Sequence, residues 1–369
     1  MKTLHVIIAG GGTGGHIFPA VAIGHALQRL QPGVKLLFVG ANGKMEMEKV
    51  PQEGFEIIGL DIAGFNRSHL LKNLSLPFKL LKSIFKAKNI LKQFQPDVVV
   101  GVGGYASFPM LNAAQGQGIP TVIQEQNSYA GKSNKMLGKK ASAICVAYDR
   151  MNRFFPQNKI MLSGNPVRKT IAFSNLTREQ GLSFFNLDPA KVTVLIVGGS
   201  LGAKSINAAI DLHLQELASE DIQILWQTGK PYYQQAVAAA ANHRNVQVHE
   251  FIRDIDQAYA AADVVISRAG ALAIAELCIA AKPVIFVPYP FAAEDHQTSN
   301  ALALVEHNAA MLVRDSDANA QLIPKLKSLL KDSALQELMS KNLKAMAIKD
   351  ADERIATKII ELANTRRNA

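Results

Sequence analysis

His16 is the side chain whose sequence context best suits it to move a proton. It closes a glycine-rich run, residues 10–16, that follows an apolar segment and precedes a helical pattern of Ala20, Ile23 and Leu27. An unperturbed imidazole titrates close to neutral pH, so it can accept a proton from a hydroxyl group. His16 is therefore a candidate general base, and the alternative is that it only caps or hydrogen-bonds its own loop.

Three glycine-rich loops, residues 10–15, 101–104 and 198–203, each follow a segment typical of a β-strand. Such loops let the backbone approach a phosphate or a sugar, and Ser200 adds a hydroxyl group to the third loop. The first loop also matches a GxGxxG dinucleotide fingerprint, which is a weak signal by itself. NAD is disfavoured because residues 40–43 contain none of the acidic side chains that would hold its ribose.

Short β-rich segments that alternate with helical patterns must position these loops. The predicted strands cover residues 4–9, 36–39, 98–102, 121–124, 192–197, 223–226, 264–267 and 284–287. This alternation predicts an α/β fold with parallel, helix-covered sheets in two Rossmann-like halves. We expect domains at residues 1–163 and 164–346, with residues 347–369 joining the first, and a ligand-binding cleft where the carboxyl ends of the two sets of strands face each other.

Composition limits the possible classes of protein. With 369 residues, 48% of them apolar and 19% charged, the chain is long enough for two globular domains. Its two cysteines lie far apart, so neither a disulfide framework nor a zinc site is predicted. The first residues do not form a signal peptide, and no segment reaches the roughly 20 apolar residues that span a bilayer, which predicts a cytoplasmic protein. The net charge of +10 predicts an anionic partner.

A basic amphipathic segment is the clearest feature of the charge distribution. Residues 62–96 contain no acidic side chain, and their lysines include Lys72, Lys79, Lys82 and Lys86. We expect these lysines, with neighbouring apolar residues, to bind an anionic inner leaflet; a solvated basic face is the alternative. Nucleic acid is disfavoured as a partner because no binding motif is present and aromatic residues make up only 7% of the chain.

Several motifs along the chain, taken together, resemble the MurG family of GT-B glycosyltransferases. They are GGGTGGHIFP at residues 10–19, GVGGYASFP at 101–109, QEQNSYAG at 124–131, GNPVR at 164–168, GGSLGA at 198–203 and SRAGALAIAE at 267–276. The resemblance implies inverting transfer of N-acetylglucosamine from UDP-N-acetylglucosamine to the C4 hydroxyl of lipid I, giving lipid II for peptidoglycan. It also implies a peripheral protein on the cytoplasmic face of the inner membrane, with other cell-wall synthesis proteins as partners. Gln124 departs from the family, which usually has His there.

The resemblance also assigns site residues, with the donor in the C-terminal half and the acceptor in the N-terminal half. Glu276 is expected to accept hydrogen bonds from the ribose hydroxyl groups. Ile252 is expected to contact uracil through its backbone groups, and Arg168 is expected to contact the pyrophosphate. The catalytic candidates are His16 and Glu125. The donor-binding candidates are Thr13, Gly14, Gly15, Asn127, Arg168, Ser200, Ile252, Ala271, Leu272, Ala273, Ile274, Ala275, Glu276 and Gln297, and the acceptor or phosphate loop contains Gly103, Gly104 and Tyr105.

Neither a cofactor nor a metal is implied. The leaving UDP is expected to be stabilised by the third glycine loop, Ser200 and Arg168, and we interpret Asp254 and Asp256 as helix-capping residues. Three alternatives stay open: a glycolipid glycosyltransferase of the same fold, a UDP-N-acetylglucosamine 2-epimerase, and a non-catalytic UDP-sugar sensor.

Overall fold

The chain divides into two compact units. A computed structural model describes residues 3–62, 76–199 and 201–368. The first unit comprises Met1–Val167 and Asp350–Ala369, and the second comprises Arg168–Lys349. The sequence predicts these two domain boundaries a few residues earlier, after residues 163 and 346.

The first unit contains, in its described part, a parallel sheet of seven strands ordered β3-β2-β1-β4-β5-β6-β7. Its central strands are completely buried because helices cover both faces of the sheet. The strands are β1 (His5–Ala9), β2 (Lys35–Ala41), β3 (Ile57–Leu60), β4 (Val98–Gly101), β5 (Thr121–Glu125), β6 (Ala143–Val146) and β7 (Ile160–Leu162). The helices between them are α1 (Gly14–Leu30), α2 (Glu46–Gln52), α3 (Leu76–Phe94), α4 (Ser107–Gln115) and α5 (Lys132–Gly138).

The second unit repeats this architecture, with six parallel strands in its described residues ordered β10-β9-β8-β11-β12-β13. The strands are β8 (Val192–Val197), β9 (Ile222–Gln227), β10 (Val246–His249), β11 (Val264–Ser267), β12 (Val284–Phe286) and β13 (Met311–Leu312). The helices are α6 (Lys169–Ala172), α7 (Arg178–Phe184), α8 (Lys204–Leu212), α9 (Leu214–Ala218), α10 (Tyr233–Ala240), α11 (Ile255–Ala261), α12 (Ala271–Ala280), α13 (His296–Val305), α14 (Ala318–Lys331) and α15 (Ser333–Met346).

The last helix, α16 (Ala351–Asn368), belongs to the first unit. It packs along α1, and its Ile355 and Ile359 are completely buried. Two arginines hold its ends: Arg29 of α1 lies 2.8 Å from Asp352, and Arg367 of α16 lies 2.6 Å from Asp97. The C-terminal segment is thus an integral layer of the first unit.

The α/β fold with two parallel sheets is confirmed. Each of the predicted strands is present, with ends that differ by no more than two residues. In both sheets the loops that follow the strands carry the glycine-rich motifs, at the carboxyl ends of β1, β4 and β8. Within the described ranges, no helix is long and apolar enough to cross a membrane.

Candidate active site

His16 lies in the first turn of α1, directly after the first glycine loop. Its Nδ1 atom is 3.1 Å from the carbonyl oxygen of Gly11 and 3.3 Å from Oγ1 of Thr13. A carbonyl oxygen can only accept a hydrogen bond, whereas a hydroxyl group can donate or accept. Nδ1 therefore carries the proton of the neutral ring, and the lone pair lies on Nε2. This is the tautomer that a general base acting through Nε2 requires.

The second glycine loop packs directly against the first. Gly103 and Gly104 have φ values of +91° and +83°, which favour glycine. A Cβ on residue 104 would lie 2.1 Å from the oxygen of Gly11, and one on residue 103 would lie 2.7 Å from the ring of His16. Gly11 N–H also donates to the Gly103 carbonyl at 3.2 Å. These two glycines therefore bring the loops together around His16, while the neighbouring Tyr105 is exposed.

A buried carboxylate lies beneath the first loop. Glu46, at the start of α2, is 2% exposed; its Oε2 accepts a hydrogen bond from Gly12 N–H at 2.8 Å and its Oε1 accepts one from Ala41 N–H at 3.0 Å. The sequence shows no acidic side chain at 40–43, but this one follows three residues later and binds the loop backbone. The N–H of Gly12 is consequently engaged with a protein carboxylate.

Glu125, at the end of β5, uses both carboxylate oxygens to hold the loop that follows it. Oε1 accepts from the backbone and side-chain N–H groups of Asn127 at 3.1 and 3.3 Å, and Oε2 accepts from Gly131 N–H at 3.1 Å and Asn134 Nδ2 at 2.8 Å. Burial raises the pKa of Glu125, and the hydrogen bonds from Asn134, Asn127 and Gly131 oppose that rise. Its contacts are those of a residue that orders a loop.

Gln124 belongs to a buried network of amide side chains. Its Nε2 donates to Oδ1 of Asn165 at 3.0 Å, and Asn165 Nδ2 donates to the carbonyl of Gln126 at 2.9 Å. Gln126 Nε2 in turn contacts Oε1 of Gln124 and donates to the carbonyl of Val102 at 2.7 Å. This network joins the loops after β4, β5 and β7. At the position where the family usually has His, the glutamine thus has a hydrogen-bond partner for its side-chain nitrogen and another for its side-chain oxygen.

In the second unit, the start of α12 follows β11 and brings Glu276 next to Tyr259. Tyr259 Oη donates to Oε2 of Glu276 at 3.3 Å. Burial raises the pKa of Glu276, while the guanidinium of Arg168 and the hydrogen bond from Tyr259 lower it; the net shift is upward. Burial and the charge of Glu276 raise the pKa of Tyr259 well above its usual value. Arg168, Tyr259 and Glu276 thus form one electrostatic cluster.

Gln227, at the end of β9, connects two predicted donor-binding segments. Its Oε1 accepts from Ile252 N–H at 2.9 Å, and its Nε2 donates to the carbonyl of Gly199 at 3.0 Å. Of the Ile252 backbone groups expected to contact uracil, the N–H is therefore hydrogen-bonded within the protein. Gln297, expected to contact the sugar, likewise accepts a hydrogen bond from Tyr289 N–H at 2.9 Å.

The predicted site residues fall into two groups, one in each unit. The group in the first unit comprises Thr13, Gly14, Gly15, His16, Gly103, Gly104, Tyr105, Glu125 and Asn127. The group in the second comprises Arg168, Ile252, Ala271, Leu272, Ala273, Ile274, Ala275, Glu276 and Gln297. Ser200 and Lys72 lie outside the described residues. Sequence reasoning missed Glu46, Gln227 and Tyr259.

The Asp254 and Asp256 pair lies at the start of α11. Asp254 occupies the N-cap position of α11, as the helix-capping interpretation predicts. Its side chain makes no capping hydrogen bond, however, so the predicted capping contact is wrong. Across the described residues, no group of three or more His, Cys, Asp or Glu side chains could hold a metal ion.

Comparisons with known proteins agree along almost the whole chain. The glycosyltransferase family 28 N-terminal domain matches residues 6–146, and the family 28 C-terminal domain matches residues 193–355. Proteins from Bacteroides thetaiotaomicron and Cytophaga hutchinsonii are 54% and 52% identical; the matches cover 98% and 99% of this chain and 98% and 99% of theirs. Both are named UDP-N-acetylglucosamine–N-acetylmuramyl-(pentapeptide) pyrophosphoryl-undecaprenol N-acetylglucosamine transferase. The crystal structure of Acinetobacter baumannii MurG superposes with a TM-score of 0.80 at 32% identity, covering 97% of this chain and 99% of that one.

Proposed function

The chain belongs to glycosyltransferase family 28 and, within it, to the MurG family, and from this premise we propose that it transfers N-acetylglucosamine from its UDP donor to N-acetylmuramyl-(pentapeptide) pyrophosphoryl-undecaprenol. The acceptor is lipid I and the product is lipid II, the lipid-linked precursor that carries the disaccharide unit of peptidoglycan. The observation that carries this proposal at the level of chemistry is the 3.1 Å contact between His16 Nδ1 and the Gly11 carbonyl oxygen, which favours the tautomer with its lone pair on Nε2.

His16 acts as the general base in this reaction. Its Nε2 takes the proton from the C4 hydroxyl of the N-acetylmuramyl sugar while that oxygen forms a bond to the anomeric carbon of the donor. The bond from the anomeric carbon to the pyrophosphate oxygen breaks, and UDP leaves with the bonding electrons from the opposite face. The configuration at the anomeric carbon is therefore inverted.

The second unit supplies the donor site in this proposal. Glu276 accepts hydrogen bonds from the ribose hydroxyls, and the N-terminal turn of α12, Ala271 to Ala275, lies close to the nucleotide because its small side chains leave room. Arg168 and the loop at 198–203, which includes Ser200, stabilise the charge that develops on the departing pyrophosphate. Gln227 positions this loop relative to Ile252, since it is hydrogen-bonded to both segments.

Glu125 has a supporting role in the acceptor site. Its oxygens already accept four N–H groups, so we assign it to ordering the loop that carries Asn127. Asn127 then orients a sugar, and the loop of Gly103, Gly104 and Tyr105, together with Thr13, Gly14 and Gly15, shapes the backbone around His16.

Membrane binding belongs to the same proposal and places the protein at the cytoplasmic face of the inner membrane. The observation that favours it is an apolar stripe on α3: Phe78, Leu81 and Phe85 are 76%, 55% and 65% exposed at helical spacing. Lys79 lies beside this stripe. Lys82 is 3.5 Å from Asp61 and Lys86 donates to the Gly59 carbonyl, so these two lysines also fasten the helix to the sheet.

A transfer assay tests the proposed function. Labelled N-acetylglucosamine is supplied as its UDP donor with a lipid I analogue, and UDP release is followed with and without the acceptor. We expect acceptor-dependent transfer. Conversion of the donor without any acceptor would identify an epimerase, transfer only to other glycolipids would identify a glycolipid glycosyltransferase, and binding without turnover would identify a sensor.

His16→Ala, with His25→Ala as its matched control, tests the base. His25 lies on the same helix with a side chain that is 40% exposed. Loss of a general base typically lowers the rate about 100-fold or more, so we expect kcat to fall by at least that factor for His16→Ala while His25→Ala stays within about twofold. Equal, small effects for the two variants would remove His16 from the mechanism.

A further inference from the structure

One peptide unit links Glu46 to His16. The peptide between Gly11 and Gly12 donates its N–H to Oε2 of Glu46 at 2.8 Å and accepts at its carbonyl the Nδ1 proton of His16 at 3.1 Å. Because a peptide unit is planar and rigid, fixing the direction of its N–H also fixes the direction of its carbonyl oxygen. Carboxylate, peptide and imidazole thus form a continuous hydrogen-bonded chain.

We propose that Glu46 is a positioning residue for the general base, acting on His16 through the Gly11–Gly12 peptide. The proposal rests on the proposed function, because it concerns the base of that reaction. A charged acceptor strengthens the hydrogen bond to the peptide N–H, and chains of hydrogen bonds polarise one another, so the Gly11 carbonyl becomes a stronger acceptor. That carbonyl holds the proton on Nδ1 and keeps the lone pair on Nε2. In a Ser-His-Asp triad the carboxylate contacts the imidazole directly; here a peptide lies between them.

The surroundings of Glu46 are built to keep the carboxylate beneath the loop. Its other oxygen accepts from Ala41 N–H at the end of β2, so the carboxylate is fixed at both oxygens. A Cβ on Gly11 would lie 2.3 Å from Cδ of Glu46, and one on Gly40 would lie 2.5 Å from its Cγ. Glycine at both positions therefore leaves the space that this side chain occupies. The contacts with Glu46 are thus sufficient to account for glycine at positions 11 and 40, without a bound phosphate or nucleotide.

Glu46→Gln removes the charge with little change in size. The amide can accept from only one of the two N–H groups and presents its own N–H to the other, so the peptide loses its fixed orientation. We expect kcat for transfer to fall about tenfold, which is less than the roughly 100-fold or more expected for loss of the base itself, because His16 is still present. The donor KM is expected to stay within about twofold, because the proposed nucleotide contacts lie in the second unit.

Glu48→Gln is the matched control. Glu48 lies on the same helix, two residues along, with a side chain that is 71% exposed, and its loss removes the same charge. We expect its kcat and KM to equal those of the wild type. Thermal unfolding of both variants identifies any loss of stability, and a Glu46→Gln protein that melts like the wild type with unchanged kcat would overturn the proposal.

The tautomer of His16 gives a readout that a purely structural role for Glu46 would not change. In protein with ¹⁵N-labelled histidine, with the His16 signals assigned by their absence from His16→Gln, we expect a protonated Nδ1 and an unprotonated Nε2 in the neutral ring. In Glu46→Gln we expect the Nε2–H form to appear. A wild-type ring protonated on Nε2 contradicts the proposal even if Glu46→Gln fails to fold. Absence of transfer by the wild type, in contrast, contradicts the proposed function. The ¹⁵N spectrum of His16 would then still test whether Glu46 controls the tautomer.

Discussion

The titration of Glu276 follows from three effects that act on one carboxylate. Burial raises its pKa, and Arg168 and Tyr259 pull the pKa down without fully offsetting that rise. Ribose hydroxyl groups donate hydrogen bonds, and the ionised carboxylate accepts them more strongly than the protonated carboxyl group does, because its two oxygens share a negative charge and neither carries a proton. Donor affinity should therefore be full at high pH and should weaken as the pH falls through the raised pKa of Glu276.

Glu276→Gln should weaken UDP-N-acetylglucosamine binding and remove this pH dependence. Loss of a charged acceptor for two hydroxyl groups is expected to raise the donor Kd about tenfold, equivalent to about 1.4 kcal/mol. Tyr259→Phe removes the hydrogen bond that lowers the pKa, so the midpoint of the pH dependence should move to higher pH. Calorimetric titrations at several pH values measure both effects. A wild-type Kd that does not vary with pH would contradict the role assigned to Glu276.

The residues that the sequence could predict are those that stand inside recognisable motifs. His16 and Glu276 were named because glycine loops and a small-residue helix start surround them. Glu46 and Gln227 were missed because their partners lie 34 and 25 residues away in the chain, and a single Glu or Gln outside a motif carries no signal. For Ile252 the resemblance predicts a uracil contact through its backbone groups, and the structure adds that its N–H donates to Gln227.

At the scale of elements, strands were predicted where burial on both faces produces continuous apolar runs. β1, β4 and β8 are of this kind. The strands without a prediction include β3, β7 and β13, which lie at sheet edges and are four, three and two residues long. Edge strands pair on one side only and carry a weaker apolar pattern, so the sequence gives little sign of them.

The apolar stripe of α3 gives an element-scale prediction for membrane binding. The helix buries Ala87, Ile90 and Leu91 in the core, while Phe78, Leu81 and Phe85 remain exposed. The triple substitution of these three residues by serine should therefore weaken binding to vesicles without unfolding the protein. Leu212→Ser, at a position that is 67% exposed in the second unit, is the control.

Vesicle composition separates the apolar and electrostatic contributions. Each basic residue near an anionic surface contributes about 1 kcal/mol, so the wild type should bind anionic vesicles more tightly than neutral ones, and this preference should shrink in high salt. Sedimentation with both vesicle types measures it. Equal binding to both types would remove the electrostatic part, and unchanged binding by the triple variant would remove α3 from the interface.

The pair of Asp97 and Arg367 gives a prediction about how α16 is held. Burial raises the pKa of Asp97, but the hydrogen bonds from Arg367 and from His5 N–H lower it by more. The pKa of Asp97 in the folded protein therefore lies below its ordinary value. The ion pair therefore stabilises the fold fully above the unfolded pKa, and this contribution is lost as the pH falls through the folded pKa. Asp97→Asn should destabilise the protein by about 1 to 3 kcal/mol at pH 7, between the ranges for exposed and buried pairs. Denaturant unfolding at pH 7 and pH 3 should show that the difference shrinks at the lower pH.

On the scale of the whole molecule, the two units differ in how the chain builds them. The second unit is one continuous segment, Arg168–Lys349, and its main described core cluster draws on residues from Val194 to Met339. The core of the first unit includes Ile355, Ile359 and Ala363 from α16, packed with residues of β1 and α1. The sequence predicts that residues 347–369 join the first unit, and the structure shows how: the side chains of α16 form part of the core of that unit.

Deletion of residues 350–369 should therefore destabilise the first unit and leave the second folded. The deletion exposes the buried face of α1 and removes both arginine–carboxylate contacts of α16. Each fully buried isoleucine contributes about 1.5 to 3 kcal/mol, so losing two of them removes much of the marginal stability of a domain. Differential scanning calorimetry of the truncated chain should show one transition near its original temperature and one strongly lowered or absent. UDP binding should persist while glycosyl transfer is lost, because the proposed nucleotide contacts of Glu276, Ile252 and Arg168 lie in the second unit and His16 lies on the helix that α16 covers. Loss of UDP binding together with transfer would show instead that the second unit depends on the first for its fold.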